Sequence, residues 1–328
     1  MKVIFFGVRE SEIEFFEKLK NKYNYELTLV QGTLTLDRID LVKNHNCVVV
    51  RGADKLDRVL LEKLKELNVE YVFTRTVGFD HIDIPTGHEL GFKMARVASY
   101  SPTAIAELAF SLAHSLSRKS AYWAYQSVNK NFKMDQYGFS KELKNSVVGI
   151  IGTGRIGYEA AKMFKAFGCE VLGYDIKPND SLSDVIKYVD LDYLLANADI
   201  ISFHMPYIKG QNDKMINKEL IDKMKDKAIL INTSRGQIQD EQAILDAIKS
   251  NKLAAVGLDV WNTEKDYLFK KLDSIEDPII KELLELYPRV LITPHIGSYT
   301  DEAASNMIEY SLDNLNEYLT TNDCKNKL

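Results

Sequence analysis

Three places in the second half of this 328-residue chain set chemically active side chains just past a short apolar run. Residues 228–231 are followed by Asn232-Thr233-Ser234-Arg235-Gly236, 255–258 by Asp259 and then Glu264, and 290–292 by Thr293-Pro294-His295. A guanidinium, two carboxylates and an imidazole are groups able to hold an anion and to trade a proton. Strand ends are also where the ligand crevice of an open α/β sheet lies. Upstream, Gly152-Thr153-Gly154-Arg155-Ile156-Gly157 separates the apolar run 147–151 from a helical stretch at 158–167, and Asp175 follows Gly157 by 18 residues. Strand, glycine turn, helix and a carboxylate at the end of the next apolar run make a dinucleotide-binding pattern. The helix N-terminus offers a pyrophosphate free N–H groups and the positive end of its dipole. Asp175 would accept hydrogen bonds from the ribose and repel a 2′-phosphate, which favours NAD over NADP. An enzyme using that cofactor needs an anion holder, a proton donor and a dry pocket.

Positioning these groups falls to short apolar runs that alternate with amphipathic stretches, the pattern of parallel sheets covered by helices. Five strands are expected before the glycine loop, near 3–7, 26–30, 47–50, 70–73 and 92–95, and six from 147 onward. The fold class is therefore α/β with two doubly wound parallel sheets, the second of Rossmann size. Ser101-Pro102 opens a long helix striped by Ile105, Leu108, Ala109, Leu112 and Leu116, readable as a covering helix or as a dimer surface. Thr300 is placed to cap a final helix with Met307, Ile308, Leu312, Leu315 and Leu319 along it. Its periodicity does not say which sheet it covers.

Composition narrows the class. With 45% apolar and 27% charged residues, the chain has the make-up of a globular protein of about two domains. Lys and Arg number 42 against 47 acids, a formal charge of -5, and no long basic block is present, which argues against a nucleic-acid partner. Cys47, Cys169 and Cys324 are too scattered for a disulfide framework or metal site, so no metal is expected. That usage suits a reducing cytoplasm. No apolar stretch approaches the ~18 residues of a membrane span.

These pieces, in this order and with Tyr100-Ser101-Pro102, Ala104-Ile105-Ala106-Glu107 and His204-Met205-Pro206, resemble the D-isomer-specific 2-hydroxyacid dehydrogenase family along nearly the whole chain. The resemblance implies that Arg235 grips the substrate carboxylate and polarises the keto oxygen. It implies that His295 exchanges a proton with the C2 oxygen, and that Glu264 orients His295 and favours its imidazolium form. Backbone N–H groups of Val77 and Gly78 would form a second carboxylate clamp, with Tyr100 and Tyr299 also at the substrate. Gly152, Gly154, Gly157, Arg155, Ile156, Asp175, His204, Met205, Pro206, Asn212, Thr233, Ser234 and Asp259 would line NAD. The family places residues 1–100 with 300–328 in a flavodoxin-like substrate domain and 101–299 in the NAD-binding domain, with domain closure over the substrate and a homodimer built on the coenzyme domains.

Each residue has a plainer reading taken alone. An arginine in a strand-end loop is ordinarily solvated or salt-bridged, His295 could be structural, Glu264 could belong to a charged surface, and His81 beside the Val77-Gly78 turn is a competing imidazole. For the substrate, Tyr287-Pro288, Asn131-Phe132-Lys133 and the residues after His295 resemble the (R)-2-hydroxyglutarate branch, which implies 2-oxoglutarate. A dicarboxylate needs a second cation. Arg51, after the run 48–50, is the first choice, and Arg75 the second, each against the alternative that it ties a turn together. D-lactate or D-2-hydroxyisocaproate as substrate needs no such cation. A corepressor that senses NAD is the alternative of another class.

Overall fold

Runs of β-branched and aromatic residues form parallel strands in both halves of the chain. A computed structural model describes residues 1–268 and 270–328, in two units: Met1–Ser101 with Tyr299–Leu328, and Pro102–Ser298. In the first unit β1 (Lys2–Phe5), β2 (Glu26–Leu29), β3 (Cys47–Val50), β4 (Tyr71–Thr74) and β5 (Lys93–Arg96) make a parallel sheet in the order β2-β1-β3-β4-β5. This is the flavodoxin-like order. All four residues of β3 and all four of β4 are buried, so both faces are covered and the strands do not alternate apolar with polar, Thr74 at the end of β4 being their one polar residue.

One face of that sheet packs Val48, Val50 and Val72 on Leu60, Leu61 and Leu64 of the helix Arg58–Glu66. The other packs Val49, Tyr71 and Phe73 on Ile308, Leu312, Leu315 and Tyr318 of the helix Asp301–Thr321. The final helix thus covers the first sheet, an assignment its periodicity left open. Thr300 caps it by accepting from the Ala303 N–H at 3.3 Å. Leu319 is exposed, and Tyr318 takes the inward position expected of it. Burial of each such side chain contributes roughly 1.5–3 kcal/mol.

The second unit holds β6 (Val147–Ile151), β7 (Glu170–Tyr174), β8 (Lys187–Tyr188), β9 (Ile200–Phe203), β10 (Ala228–Asn232), β11 (Leu253–Leu258) and β12 (Val290–Ile292). Their order is β12-β11-β10-β9-β6-β7-β8, all parallel, so the chain reverses direction across the sheet beside β6. Seven strands stand where six were expected. β8 is a two-residue edge strand paired through Leu172 with Lys187 and Gly173 with Tyr188, too short to leave an apolar run. The helix Pro102–Arg118 buries Ala106, Ala109, Leu112, Ala113 and Leu116 with Val148, Ile150, Ile231 and Ala255, so it is a covering helix of this sheet. Close approach is aided by Gly257, where an added Cβ would lie 3.1 Å from the Leu112 Cβ. Among the described residues, no helix is long and apolar enough to cross a membrane.

Candidate active site

At the end of β6 the glycine loop has the shape a pyrophosphate requires. Gly152 adopts φ +88°, and a Cβ there would come within 2.9 Å of the His204 backbone. At Gly157 a Cβ would be 2.0 Å from the Gly152 carbonyl oxygen, whereas at Gly154 it would meet nothing. Gly154 caps the helix Arg155–Ala166 without any side chain, which leaves the first-turn N–H groups for an anion. Asp175 stands directly after β7, and its carboxylate accepts from the Thr153 N–H at 2.8 Å and the Lys177 N–H at 2.9 Å. It joins the loop to β7 and retains acceptor capacity for a ribose. Among the described residues, two enclosed polar atoms at the ends of β9 and β10 have no protein partner, Nδ1 of His204 and Oγ1 of Thr233. A cofactor offering hydrogen-bonding groups fits such atoms. Burial holds the His204 imidazole down to about 4, so it stays neutral, with Nε2 2.9 Å from Ser202 Oγ.

The remaining residues expected around the cofactor divide in two. Arg155 is exposed at the helix start, Ile156 and Met205 pack partly into the cores, and Pro206 is exposed. Asn212 uses its side chain within its own loop, accepting from Ile208 N–H at 2.7 Å and donating to Pro206 O at 2.8 Å. Ser234 donates its hydroxyl and N–H to Asn232 Oδ1 at 2.7 and 3.0 Å. These two residues shape loops.

Past β10, β11 and β12 the structure brings three candidate groups to one end of the sheet. Asn232 also donates to the Arg235 carbonyl at 3.0 Å and to Gln239 Oε1 at 2.7 Å, so every polar atom of its amide fixes the Arg235 loop. Gly236 is pressed against the next loop, a Cβ there being 2.3 Å from the Trp261 carbonyl carbon. The half-buried Arg235 side chain donates to the Ser234 carbonyl at 2.7 Å. His295 adopts φ 52°, a left-handed conformation uncommon outside glycine. Asp259 holds it there. The buried carboxylate accepts from Thr293 Oγ1 at 2.6 Å and from the Ile296 and Gly297 N–H groups at 2.8 Å each, while its backbone carbonyl accepts from His295 N–H at 3.0 Å. Burial still pushes this carboxyl above its ordinary range, against the pull of the Thr293 hydroxyl and the His295 charge. Asp259, expected at the nicotinamide, is 1% exposed and serves as the brace of the His295 turn.

Glu264 completes the set. Its Oε1 lies 2.8 Å from His295 Nδ1 and its Oε2 accepts from Trp261 N–H at 3.1 Å, so both oxygens are oriented. An ionised carboxylate at Nδ1 places the ring hydrogen there and leaves Nε2 as the atom for proton exchange. The His295 side chain is 37% exposed against 12% for Glu264, so the imidazole opens outward from an enclosed acid.

In the first unit Arg51 and Arg75, expected at a second substrate carboxylate, share one buried acid. Arg51 Nη1 lies 2.8 Å and Arg75 Nη1 3.1 Å from the same oxygen of buried Glu12, and Arg75 Nη2 donates to the Phe6 and Gly7 carbonyls at 3.2 and 2.9 Å. Arg75 is wholly enclosed and Arg51 is 8% exposed. Burial works to raise the Glu12 pKa, but the charges of Arg75 and Arg51 outweigh it and hold the group below its ordinary value. Burial, aided by the Arg51 charge, lowers Arg75 to about 9. Both guanidinium groups are thus held at the strand ends by one shared acid.

The Val77-Gly78 turn follows β4, and among the described residues neither N–H donates to a backbone acceptor. His81 belongs to its scaffold, with Nε2 3.1 Å from Thr74 Oγ1. The Tyr100 carbonyl accepts from Asn306 Nδ2 at 2.6 Å. Tyr299 is 53% exposed, with its hydroxyl 3.2 Å from Ser11 Oγ and the Arg9 guanidinium 4.6 Å from its ring centre. Burial, then the Arg51 charge, lowers Arg9 to about 10. Arg9 and Arg96, which donates to the Val77 carbonyl at 2.8 Å, were not singled out from sequence. Each follows or ends a strand of the first sheet, which was the available signal.

Residues 110–297 match the family model described as D-isomer specific 2-hydroxyacid dehydrogenase, NAD binding domain. An aromatic 2-oxoacid reductase of Clostridium sporogenes is 37% identical over 100% of this chain and 99% of its own. A D-lactate dehydrogenase of Lactiplantibacillus plantarum is 36% identical over 98% of this chain and 97% of its own. The crystal structure of D-lactate dehydrogenase with NAD⁺ from Lactobacillus jensenii superposes with a TM-score of 0.87 at 33% identity, covering 100% of this chain and 99% of that one. These relatives are named for aromatic 2-oxo acids and D-lactate, which corrects the expected likeness to the 2-hydroxyglutarate branch. With NAD as cofactor and the CH-OH group as its point of action, the chain belongs to the D-isomer-specific 2-hydroxyacid dehydrogenase family.

Proposed function

We propose that this enzyme converts 2-oxo acids bearing one carboxylate and an apolar or aromatic side chain to D-2-hydroxy acids: 2-oxo acid, NADH and a proton give D-2-hydroxy acid and NAD⁺, reversibly. The observation that carries the choice of substrate is the capture of Arg51 and Arg75 by Glu12, which removes the cations a second carboxylate would need. The names of the relatives support it.

When bound, NADH supplies the hydride. Arg235 holds the substrate carboxylate and polarises the keto oxygen, while His295 Nε2 delivers the proton to that oxygen. Glu264 keeps Nδ1 protonated and the ring oriented, and Asp259 keeps the turn in its left-handed conformation. The Val77 and Gly78 N–H groups donate to the carboxylate. His204 and Thr233 offer their unpartnered atoms to the cofactor. The first unit is accordingly assigned to substrate binding.

The test is NADH oxidation by the purified protein with phenylpyruvate, pyruvate, 2-oxoisocaproate and 2-oxoglutarate, compared by kcat/KM. A preference for one of the first three supports this reading, and a preference for 2-oxoglutarate overturns it.

A second copy of the chain is the proposed partner. The segment after the helix Ser120–Val128 is ordered by Trp123 Nε1 donating to Gly138 O at 3.3 Å and by Asp135 accepting from Gly138 N–H at 2.8 Å. It nevertheless leaves Val128, Phe132, Met134 and Phe139 78–92% exposed, as apolar groups awaiting an interface are. Phe132→Asp combined with Met134→Asp should convert a dimer to a monomer in light scattering. A wild-type monomer would end this assignment.

A further inference from the structure

The turn after β4 presents two backbone N–H groups, of Val77 and Gly78, and everything around them is tied down. Thr76 Oγ1 donates to the Gly78 carbonyl at 2.7 Å and lies 2.6 Å from Thr74 Oγ1, which in turn meets His81. On the neighbouring strand, Arg96 pairs in register with Thr74 at the last position of β5. Its backbone is anchored by N–H donation to Asn326 O at 3.1 Å and by Asn314 Nδ2 donating to its carbonyl at 2.9 Å. From there Nη1 reaches the Val77 carbonyl at 2.8 Å, with the guanidinium 5.1 Å from the centre of the Phe79 ring.

A trans peptide holds its C=O and N–H antiparallel. With the Val77 oxygen fixed on Arg96, the Gly78 N–H of the same peptide must point the opposite way. A cation on the oxygen also polarises the whole peptide, which strengthens the N–H as a donor to an anion. The turn thus combines neutral donors with a full positive charge on their far side.

We propose that Arg96 is a positioning residue for carboxylate binding: it aims and polarises the Val77-Gly78 peptide without itself touching the substrate. The inference rests on the assignment of the Val77 and Gly78 N–H groups to the carboxylate of a 2-oxo acid. It adds a specific cause for the orientation and strength of the Gly78 N–H.

The experiment uses the full-length enzyme with Arg96→Met, Arg96→Lys and Thr76→Val, reading KM for phenylpyruvate, kcat, and the NADH dissociation constant by fluorescence titration. Arg96→Met should raise KM about tenfold to a hundredfold, the range for losing a charge-assisted hydrogen bond, with kcat and NADH affinity nearly unchanged. Arg96→Lys retains the charge and should recover most of that loss, and Thr76→Val should raise KM by a smaller factor. A KM within about twofold of wild type in Arg96→Met overturns the proposal. So does a parallel fall of kcat, NADH affinity and thermal stability, the mark of a general scaffold residue. If the wild type reduces no 2-oxo acid, the functional reading falls and this inference with it; if the wild type is active and KM does not move, this inference alone falls.

Discussion

At the carboxyl ends of their parallel strands, the two units carry similar side chains in opposite states. In the first, Arg51 and Arg75 converge on Glu12, and little of any of the three is left facing water. In the second, Glu264 grips one nitrogen of His295 and leaves the other outward, while Arg235 emerges half-buried from a loop fixed by Asn232. A charge whose partners enclose it builds a scaffold, because removing it from water is offset by those partners alone. An imidazole held at one nitrogen, as His295 is by Glu264, keeps its other nitrogen for chemistry. A charged residue's place at a strand end therefore says less about its role than how far its surroundings enclose it: Arg75 is fully buried, whereas the His295 side chain is 37% exposed.

The sharpest way to break this contrast is to remove the open imidazole. His295→Ala should lower kcat by about 10² to 10⁴, the usual contribution of a positioned acid, with NADH binding intact by fluorescence. Near wild-type turnover would take His295 out of the mechanism. Next in size is the closed cluster. Glu12→Gln leaves two buried guanidinium groups without their anion and should cost about 3–5 kcal/mol in urea unfolding. Because the folded Glu12 pKa is depressed, its contribution is present above the ordinary carboxylate range and is lost as pH falls below it.

A smaller effect is expected at His204. His204 has a folded pKa of about 4, while an unfolded imidazole titrates near ~6.5. Between those values the unfolded chain binds the proton and the folded chain does not, so stability declines as pH falls from about 6.5 to about 4. The decline should be on the order of 2–3 kcal/mol in urea titrations and should flatten in His204→Gln. An equal slope in that variant would assign the loss to other groups. The smallest effect is expected at Asp175. Asp175→Ala should narrow the NADH-over-NADPH preference by roughly tenfold, and an unchanged ratio would count against its ribose role.

Much of the architecture was legible because strands buried on both faces are predominantly apolar, as Cys47–Val50 is throughout and Tyr71–Thr74 is up to Thr74. β8 was illegible because two residues at a sheet edge bury too little to impose a pattern. The glycine loop could be read because backbone approach restricts residue type directly, as at Gly157. The fates of Arg51 and Arg75 could not, since Glu12 lies 39 and 63 residues away in sequence and charge type carries no record of pairing. Asp259 shows a similar limit at closer range: its sequence position after a strand did not reveal that its oxygens brace Thr293, Ile296 and Gly297. Arg96 escaped notice because its partner is a backbone carbonyl, which no side-chain motif reports.

The most direct measurement compares Arg235→Met with Arg51→Met, reading kcat/KM for phenylpyruvate and 2-oxoglutarate together with urea stability. The account predicts that Arg235→Met loses about a hundredfold or more in kcat/KM at near wild-type stability, through loss of a charged contact to substrate. Arg51→Met should be destabilised by about 3–5 kcal/mol, with no selective change between the two substrates. A stable Arg51→Met enzyme that lost activity on 2-oxoglutarate alone would contradict it, placing the substrate cation in the cluster described here as closed.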